Sequence, residues 1–143
     1  MPDITQDFPI AAVPDRVFGA ISTAAGLDAW WTKRSAGHPR MGSIYDLGFG
    51  PGYDWRARVT RCEPGAAFEL EMVSADADWL GTRVGFELTP TPAGTQVRFH
   101  HLGWPEANEH YRTSCFCWAM YLRIMKRNLE YGETVPYERR FAV

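Results

Sequence analysis

Residues 43–103 form five stretches that alternate apolar and polar side chains, each separated from the next by turn residues. No other feature constrains this chain so tightly, because alternation with period two puts one kind of residue on each face of a strand. Strands are predicted over 43–49, 53–61, 66–74, 81–89 and 95–103. Gly50-Pro51-Gly52, Glu63-Pro64-Gly65, a polar loop at 75–80 and the run from Pro90 to Gly94 separate them. Pairing the strands tests the pattern. With Arg61 opposite Ala66, Arg58 faces Glu69 and Arg56 faces Glu71, while Val59–Phe68, Ala57–Leu70 and Trp55–Met72 meet on the other face. One face is then all opposite charges and the other all apolar, an outcome that a one-residue slip would invert. The turn at 50–52 sets Phe49 opposite Tyr53, Leu47 opposite Trp55 and Tyr45 opposite Ala57. The last hairpin pairs Glu87 with Arg98, Phe86 with Phe99 and Val84 with His101.

A sheet that is charged on one side and apolar on the other must have its apolar side covered. The segment 106–131 supplies the cover. Tyr111, Cys115, Trp118, Leu122, Met125 and Leu129 recur at intervals of four and three, which is one helical stripe. Gly132 stops that helix and Pro136 follows it. Ahead of the hairpins, residues 3–12 alternate as a strand. Pro14 opens a helix with Val17, Phe18 and Ile21 on one stripe, and Thr23 caps a second short helix that ends near Trp31. The expected architecture is α+β. A curved antiparallel sheet of about six strands wraps around a long C-terminal helix, with two short helices after the first strand, all in one domain spanning 1–143.

Charge and composition narrow the function classes. The net charge is −2 and no basic run exceeds two residues, so nucleic acid has no electrostatic footprint. No apolar stretch approaches the ~20 residues of a membrane span. The N-terminus has neither the charged start nor the apolar run of a signal peptide, and the expected location is the cytoplasm. Three cysteines, an odd number, fit a reducing compartment. Cys115 and Cys117 lie two apart on the predicted helix and so point to nearly opposite sides. They read as small buried apolar residues rather than a metal or disulfide pair.

Aromatic residues reach 14% of the chain, with six Trp, more ring than a minimal core needs. Each ring alone reads as core packing. Together Tyr45, Tyr53, Trp55, Phe86, Phe99, Trp118 and Tyr121, with Phe49, read as the lining of an interior ligand site, since a sheet wrapped around one helix encloses more volume than it easily fills. Strand parity points His101 inward with Val97 and Phe99 and His100 outward. An inward His either meets a ligand, as hydrogen-bond partner or acid–base group, or is structural and bonds a main-chain carbonyl. Adjacent strand residues face opposite sides, so His100 and His101 cannot chelate one metal, and His38 and His110 show no ligand spacing. No metal or cofactor is expected. Gly48-x-Gly50-x-Gly52 precedes a strand rather than a helix and reads as a hairpin turn, not a phosphate loop. Glu69 and Glu71 share the charged exterior, and neither a Gly-x-Ser-x-Gly elbow nor a His-Glu-x-x-His pair is present.

The opening FPIAAVPDRVFGAISTAAGLDAWWT resembles the start of proteins related to the activator of the heat-shock-protein-90 ATPase. The matching residues are Pro14, Val17, Phe18, Ala20, Ile21, Leu27, Trp30 and Trp31. The segment GTQVRFHHLGW is similar to the family's last strand through Gly94, Thr95, Val97, His101, Gly103 and Trp104. The resemblance covers nearly the whole chain. It implies the helix-grip fold shared with START-like (SRPBCC) lipid-transfer domains, aromatic polyketide cyclases and the birch-pollen allergen. Two departures stand out. Ala24-Ala25-Gly26 replaces a Pro-Glu before Leu-x-x-Trp-Trp, and Cys117-Trp118 replaces a Gly-Trp, which sets a larger side chain against the sheet. The expected function is binding of a small hydrophobic or aromatic molecule in an internal cavity by a monomer or homodimer. The alternatives are a cyclase- or dehydratase-like enzyme with His101 as acid–base group, and a co-chaperone-like interaction domain with a chaperone partner.

Overall fold

Turn residues at the predicted places cut the chain into strands, and the longest uninterrupted helical stripe lies at its C-terminal end. The computed structural model describes residues 1–143. In chain order the elements are β1 (Ile4–Ile10), α1 (Pro14–Ser22), α2 (Ala24–Asp28), β2 (Arg34–Ala36), β3 (Ile44–Gly48), β4 (Asp54–Glu63), β5 (Ala67–Ser74), β6 (Arg83–Thr91), β7 (Gly94–Leu102), α3 (Glu109–Tyr131) and a short 3-10 helix, Tyr137–Ala142. The strands form one antiparallel sheet in the order β1-β7-β6-β5-β4-β3-β2. The curved sheet with its long C-terminal helix is the helix-grip architecture. It has seven strands rather than about six. The additional one, β2, is three residues long, too short to show alternation in the sequence, and exists through its pairing with β3.

Local signals place the helix ends. The Thr23 hydroxyl accepts from the Gly26 N–H at the start of α2, and the Asn108 side chain accepts from the Tyr111 N–H at the start of α3. Gly132 closes α3 with φ 70°, the left-handed conformation that a Cβ disfavours. The helix begins at Glu109 rather than at 106, where the Asn108 cap sets the boundary.

Two of the three predicted hairpin registers hold. Tyr45 pairs with Ala57 and Leu47 with Trp55, while Val84 pairs with His101, Phe86 with Phe99 and Glu87 with Arg98. The β4–β5 register differs. Cys62 pairs with Phe68 and Arg61 with Glu69, and beyond an irregularity at Thr60 Val59 pairs with Leu70, Arg58 with Glu71 and Ala57 with Met72. The reason is a tighter turn. Pro64, Gly65 and Ala66 close it, with Gly65 at φ 74° and the Ala66 N–H donating to the Glu63 carbonyl. That register alone would turn Val59 and Ala57 outward. The bulge at Thr60 absorbs one residue and returns both to the apolar face, where they are buried. The assigned faces of Ala57, Arg58 and Val59 therefore stand although their partners changed.

The outer face carries a ladder of opposite charges, including Arg58–Glu71 at 3.7 Å and Arg56–Asp46 at 3.4 Å. These groups are about half exposed or more on the Arg side, and such pairs contribute about 0.2–1 kcal/mol. Arg58→Glu is therefore expected to cost about 1 kcal/mol or less in chemical denaturation, and a loss of several kcal/mol would show that the face is misassigned. Glu69 departs from the ladder. Its carboxylate bonds the His100 Nε2 at 2.8 Å and the Thr60 hydroxyl at 2.7 Å. Gly85 lies beneath the His100 ring, where a Cβ would collide with it. These outward bonds leave His100 only 9% exposed.

The cysteines correct an expectation. All three are half-buried rather than fully buried. Cys115 and Cys117 flank Phe116, which points to solvent from α3, so both sit at the margins of the buried stripe. The stripe itself is wider than predicted and also takes in Ser114, Tyr121 and Ile124.

Candidate functional site

The inner face of the sheet and the buried stripe of α3 meet in a continuous aromatic cluster with Trp118 at its centre. Its ring lies 4.6 Å from Phe99 on β7, 5.3 Å from Trp31 after α2 and 6.2 Å from Tyr121 one helical turn on. Phe86 on β6 packs 5.2 Å from Phe99 and 6.0 Å from Trp30. Trp55 on β4 meets Phe49 at 5.2 Å. These residues come from elements far apart in sequence, and the alternation of the strands aims them at one space.

Trp79 fills the middle of that space. It belongs to the polar loop between β5 and β6, yet its indole is 8% exposed and stacks on Trp118 at 5.8 Å with 24° between planes. It also lies 5.2 Å from Trp55, 4.5 Å from His101 and 6.0 Å from Trp104. The interior expected as a cavity is thus occupied by side chains. A depression of about 610 Å³ lies along β2, β3 and β4, around Gly48 and among Lys33, Arg34, Asp46, Asp54 and Arg56. Charges of both signs line it, together with Trp55 of the aromatic cluster.

His101 sits at the inner wall, fully buried. The Trp118 indole N–H donates to its Nδ1 at 3.0 Å. That assigns the ring proton to Nε2, which faces the Thr82 hydroxyl oxygen at 2.8 Å. The Thr82 hydroxyl in turn donates to the Trp79 carbonyl at 2.6 Å. Every polar atom in this chain of three side chains has a partner. Burial, and then the nearby His100 and His110, push the His101 pKa down to about 3. The ring is neutral at physiological pH, both nitrogens are engaged, and its bonds tie α3 to the β5–β6 loop. Its partners are two side chains rather than the main-chain carbonyl expected for a structural His.

The other expected residues divide into two groups. Trp55, Phe86, Phe99, Trp118 and Tyr121 join the cluster. Tyr45 is buried at its edge against Phe68, and its hydroxyl donates to the Ser22 carbonyl. Burial raises the pKa of Tyr45 and of Tyr121. Tyr53 is 50% exposed at the β3–β4 turn and reaches only the edge of the cluster, its ring 6.4 Å from that of Trp55. Sequence reasoning missed Trp79, Trp104 and Trp31. A Trp within the polar run Ser74–Asp78 and Leu80–Gly81 was the available signal for the first, because a large ring in a short polar loop needs somewhere to pack.

Two polar atoms in this region lack a partner, the indole nitrogens of Trp79 and Trp104. Buried donors are rarely left unmade, and each costs about 1–3 kcal/mol. Their rings are neighbours, and Trp104 is further enclosed by His101 at 5.0 Å and His110 at 5.3 Å. The loop that carries Trp79 is tied to the start of α3, where Asp78 bonds His110 at 3.0 Å and Asn108 at 3.3 Å. These contacts hold the Asp78 carboxyl below its usual pKa.

The C-terminal segment covers the opposite end. Arg140 is buried and donates to the carbonyls of Val135, Thr32 and Asp28, while the Tyr137 hydroxyl donates to the Phe49 carbonyl and Phe141 packs on Tyr121. No three His, Cys, Asp or Glu side chains converge as a metal site would require. No helix is long and apolar enough to cross a membrane.

Comparison with solved structures returns the same architecture. The solution structure of the Aha1 dimer from Colwellia psychrerythraea is 29% identical, with a TM-score of 0.84 over 93% of this chain and 99% of that one. The protein MLL2253 from Mesorhizobium loti is 20% identical, with a TM-score of 0.81 over 92% of this chain and 99% of that one. DynU16, from the dynemicin biosynthetic locus, is 18% identical with a TM-score of 0.75, and 94% of this chain covers 50% of it. None of the curated proteins matches. The family model described as Activator of Hsp90 ATPase homolog 1-like protein matches residues 11–130, the span from the start of α1 to the end of α3, and the chain belongs to that family.

Proposed function

We propose that this protein binds a small apolar or aromatic molecule between the sheet and α3, in the place that the Trp79 side chain fills in the unliganded form. The observation that carries this reading is Trp79 itself. A loop residue supplies the ring at the centre of the interior, and it leaves its own indole N–H without an acceptor. A ring brought in by a connecting loop can leave by side-chain rotation while its carbonyl stays bonded to Thr82. The ligand would then lie against Trp55, Phe86, Phe99, Trp118 and Tyr121, with His101 at its edge and Tyr45 behind. Tyr53, at the exposed turn, would meet a ligand only at the entrance. With His101 neutral and both its nitrogens engaged, this reading is of a cytoplasmic binding protein rather than an acid–base enzyme.

Native mass spectrometry of freshly purified protein tests it. A retained small molecule that is lost on denaturation is the expected result. The bare polypeptide mass, with no shift of any tryptophan indole resonance on adding aromatic probes, would count against it.

Self-association is a second reading, favoured by the dimer reported for the similar Colwellia protein. Sedimentation at twice the chain mass would support it. The family's description adds a chaperone partner to this second reading, to be sought by co-purification with a defined Hsp90.

A further inference from the structure

The sheet has two edges, β1 and β2, and only one of them is covered. Side chains of α3 hold the main chain along β1 and at its ends. The Tyr111 hydroxyl donates to the Asp3 carbonyl at 2.7 Å, Lys126 donates to the Pro9 carbonyl at 2.6 Å, and Glu130 accepts from the Ala11 N–H at 2.8 Å. At β2 no side chain bonds the main chain of Arg34, Ser35 or Ala36. The Ser35 hydroxyl turns inward to the Ala24 carbonyl and the Asp28 carboxylate, and Arg34 and Ala36 are exposed. An uncovered edge is a template for a further strand. Arg34 also takes part in none of the ion pairs of the chain. Its row on the outer face runs Arg34–Gly48–Asp54, and the neighbouring row runs Ala36–Asp46–Arg56.

We propose that the β2 edge joins two copies of this chain, antiparallel, so that their sheets continue into one. This inference rests on the reading of the protein as self-associating and adds the surface that does it. A two-fold axis through the Ser35 pair sets Arg34 beside the partner's Ala36 and, one strand further, the partner's Asp46. Neighbouring strands lie about 4.8 Å apart, so the two main chains are separated by about 10 Å, a gap that an Arg and an Asp side chain span together. Ala36 is too small to stand between them. Arg56 engages Oδ1 of Asp46 at 3.4 Å, which leaves Oδ2 for the incoming guanidinium. Ala36 and Asp46 both line the depression along β2, β3 and β4, and the partner's Arg34 would enter it there. Symmetry forms the same pair twice. Other registers lose the match. Centred on Arg34 the pairing opposes two guanidinium groups, and centred on Ala36 it carries Arg34 beyond the partner's Asp46. A slip of one residue sets an outward side chain against an inward one. An unrelated extended segment meets the same open edge, but a copy of this chain brings Arg34 and Asp46 at matching places.

Sedimentation of the intact chain over a range of concentrations, combined with charge reversal, provides the test. The unsubstituted protein should dimerise, and more weakly as salt is raised. Arg34→Glu and Asp46→Arg should each weaken the dimer about tenfold or more, because every reversal acts twice across the axis. The double variant Arg34→Glu with Asp46→Arg exchanges the signs of the pair and should recover the dimer. Both side chains are exposed, so the variants keep the fold. The amide protons of β2 should exchange with water more slowly as the dimer fills, which reads the added strand directly. A dimer indifferent to both reversals, or β2 amides whose exchange ignores dimerisation, would overturn the edge assignment and leave self-association standing. A chain that stays monomeric up to about 1 mM would overturn both.

Discussion

His101→Phe is expected to destabilise the fold by about 2–4 kcal/mol at neutral pH, and that deficit should shrink as the pH falls. Phe matches the ring but offers no acceptor, so the Trp118 N–H is left buried and unpaired, and Thr82 loses a donor. The pH dependence follows from the low pKa. In the folded chain burial holds His101 neutral down to about pH 3, whereas in the unfolded chain it titrates near 6.5. Above 6.5 neither state binds the proton and the full stabilisation is present. Below 6.5 the unfolded chain takes up a proton that the folded chain rejects, and stability is lost down to about pH 3. The slope approaches about 1.4 kcal/mol per pH unit for one proton. The carboxyls of Glu69 and Asp78, held low by their bonds to His100 and His110, withdraw their contribution only at lower pH, as it falls through the carboxylate range. Between pH 6.5 and 5 the difference between the two proteins therefore isolates His101. Urea denaturation at several pH values measures it. A deficit that stays constant across that window would show that His101 is accessible and freely titrating, which would reopen its case as an acid–base residue.

Trp118→Ala should have the largest effect of any single truncation, about 5 kcal/mol, at the top of the range for a buried aromatic. The ring touches Trp31, Trp79, Phe99, His101 and Tyr121, so its removal takes a contact from each of them and strands the His101 Nδ1 without its donor. Trp118→Phe separates packing from polarity, because it keeps an aromatic ring and removes the N–H. In the His101→Phe background Trp118→Phe should cost about 1–2 kcal/mol less than in the unsubstituted protein, since the bond it breaks is already gone. Strict additivity of the two substitutions in equilibrium denaturation would mean that the Trp118–His101 bond contributes nothing.

Both results bear on function through the same residues. The chain from Trp118 through His101 and Thr82 to the Trp79 carbonyl fixes the main chain of the β5–β6 loop, and no side-chain hydrogen bond holds the Trp79 ring itself.

Local chemistry was enough to predict much of this protein. The faces of β3 through β7, two hairpin registers, the cap of α2 and the stop at Gly132 all follow from periodicity and turn residues, which act over a few positions. So does the inward direction of His101, because strand parity needs no knowledge of the partner. The β4–β5 register lay beyond that reach. The turn at Pro64–Ala66 and the bulge at Thr60 compensate each other, and only the packed sheet shows both. β2 owes its existence to an edge already present beside it. Nothing in the sequence singles out Arg140, which becomes a buried clasp because the carbonyls of Asp28 and Thr32 lie within its reach. Trp79 is the clearest case. Its chain neighbours are mostly solvent-facing, its neighbours in space are aromatic, and which of the two governs depends on the volume left between a curved sheet and a helix. That volume is a property of the assembled elements, so tertiary structure alone decided that the expected cavity would be filled, and by which residue.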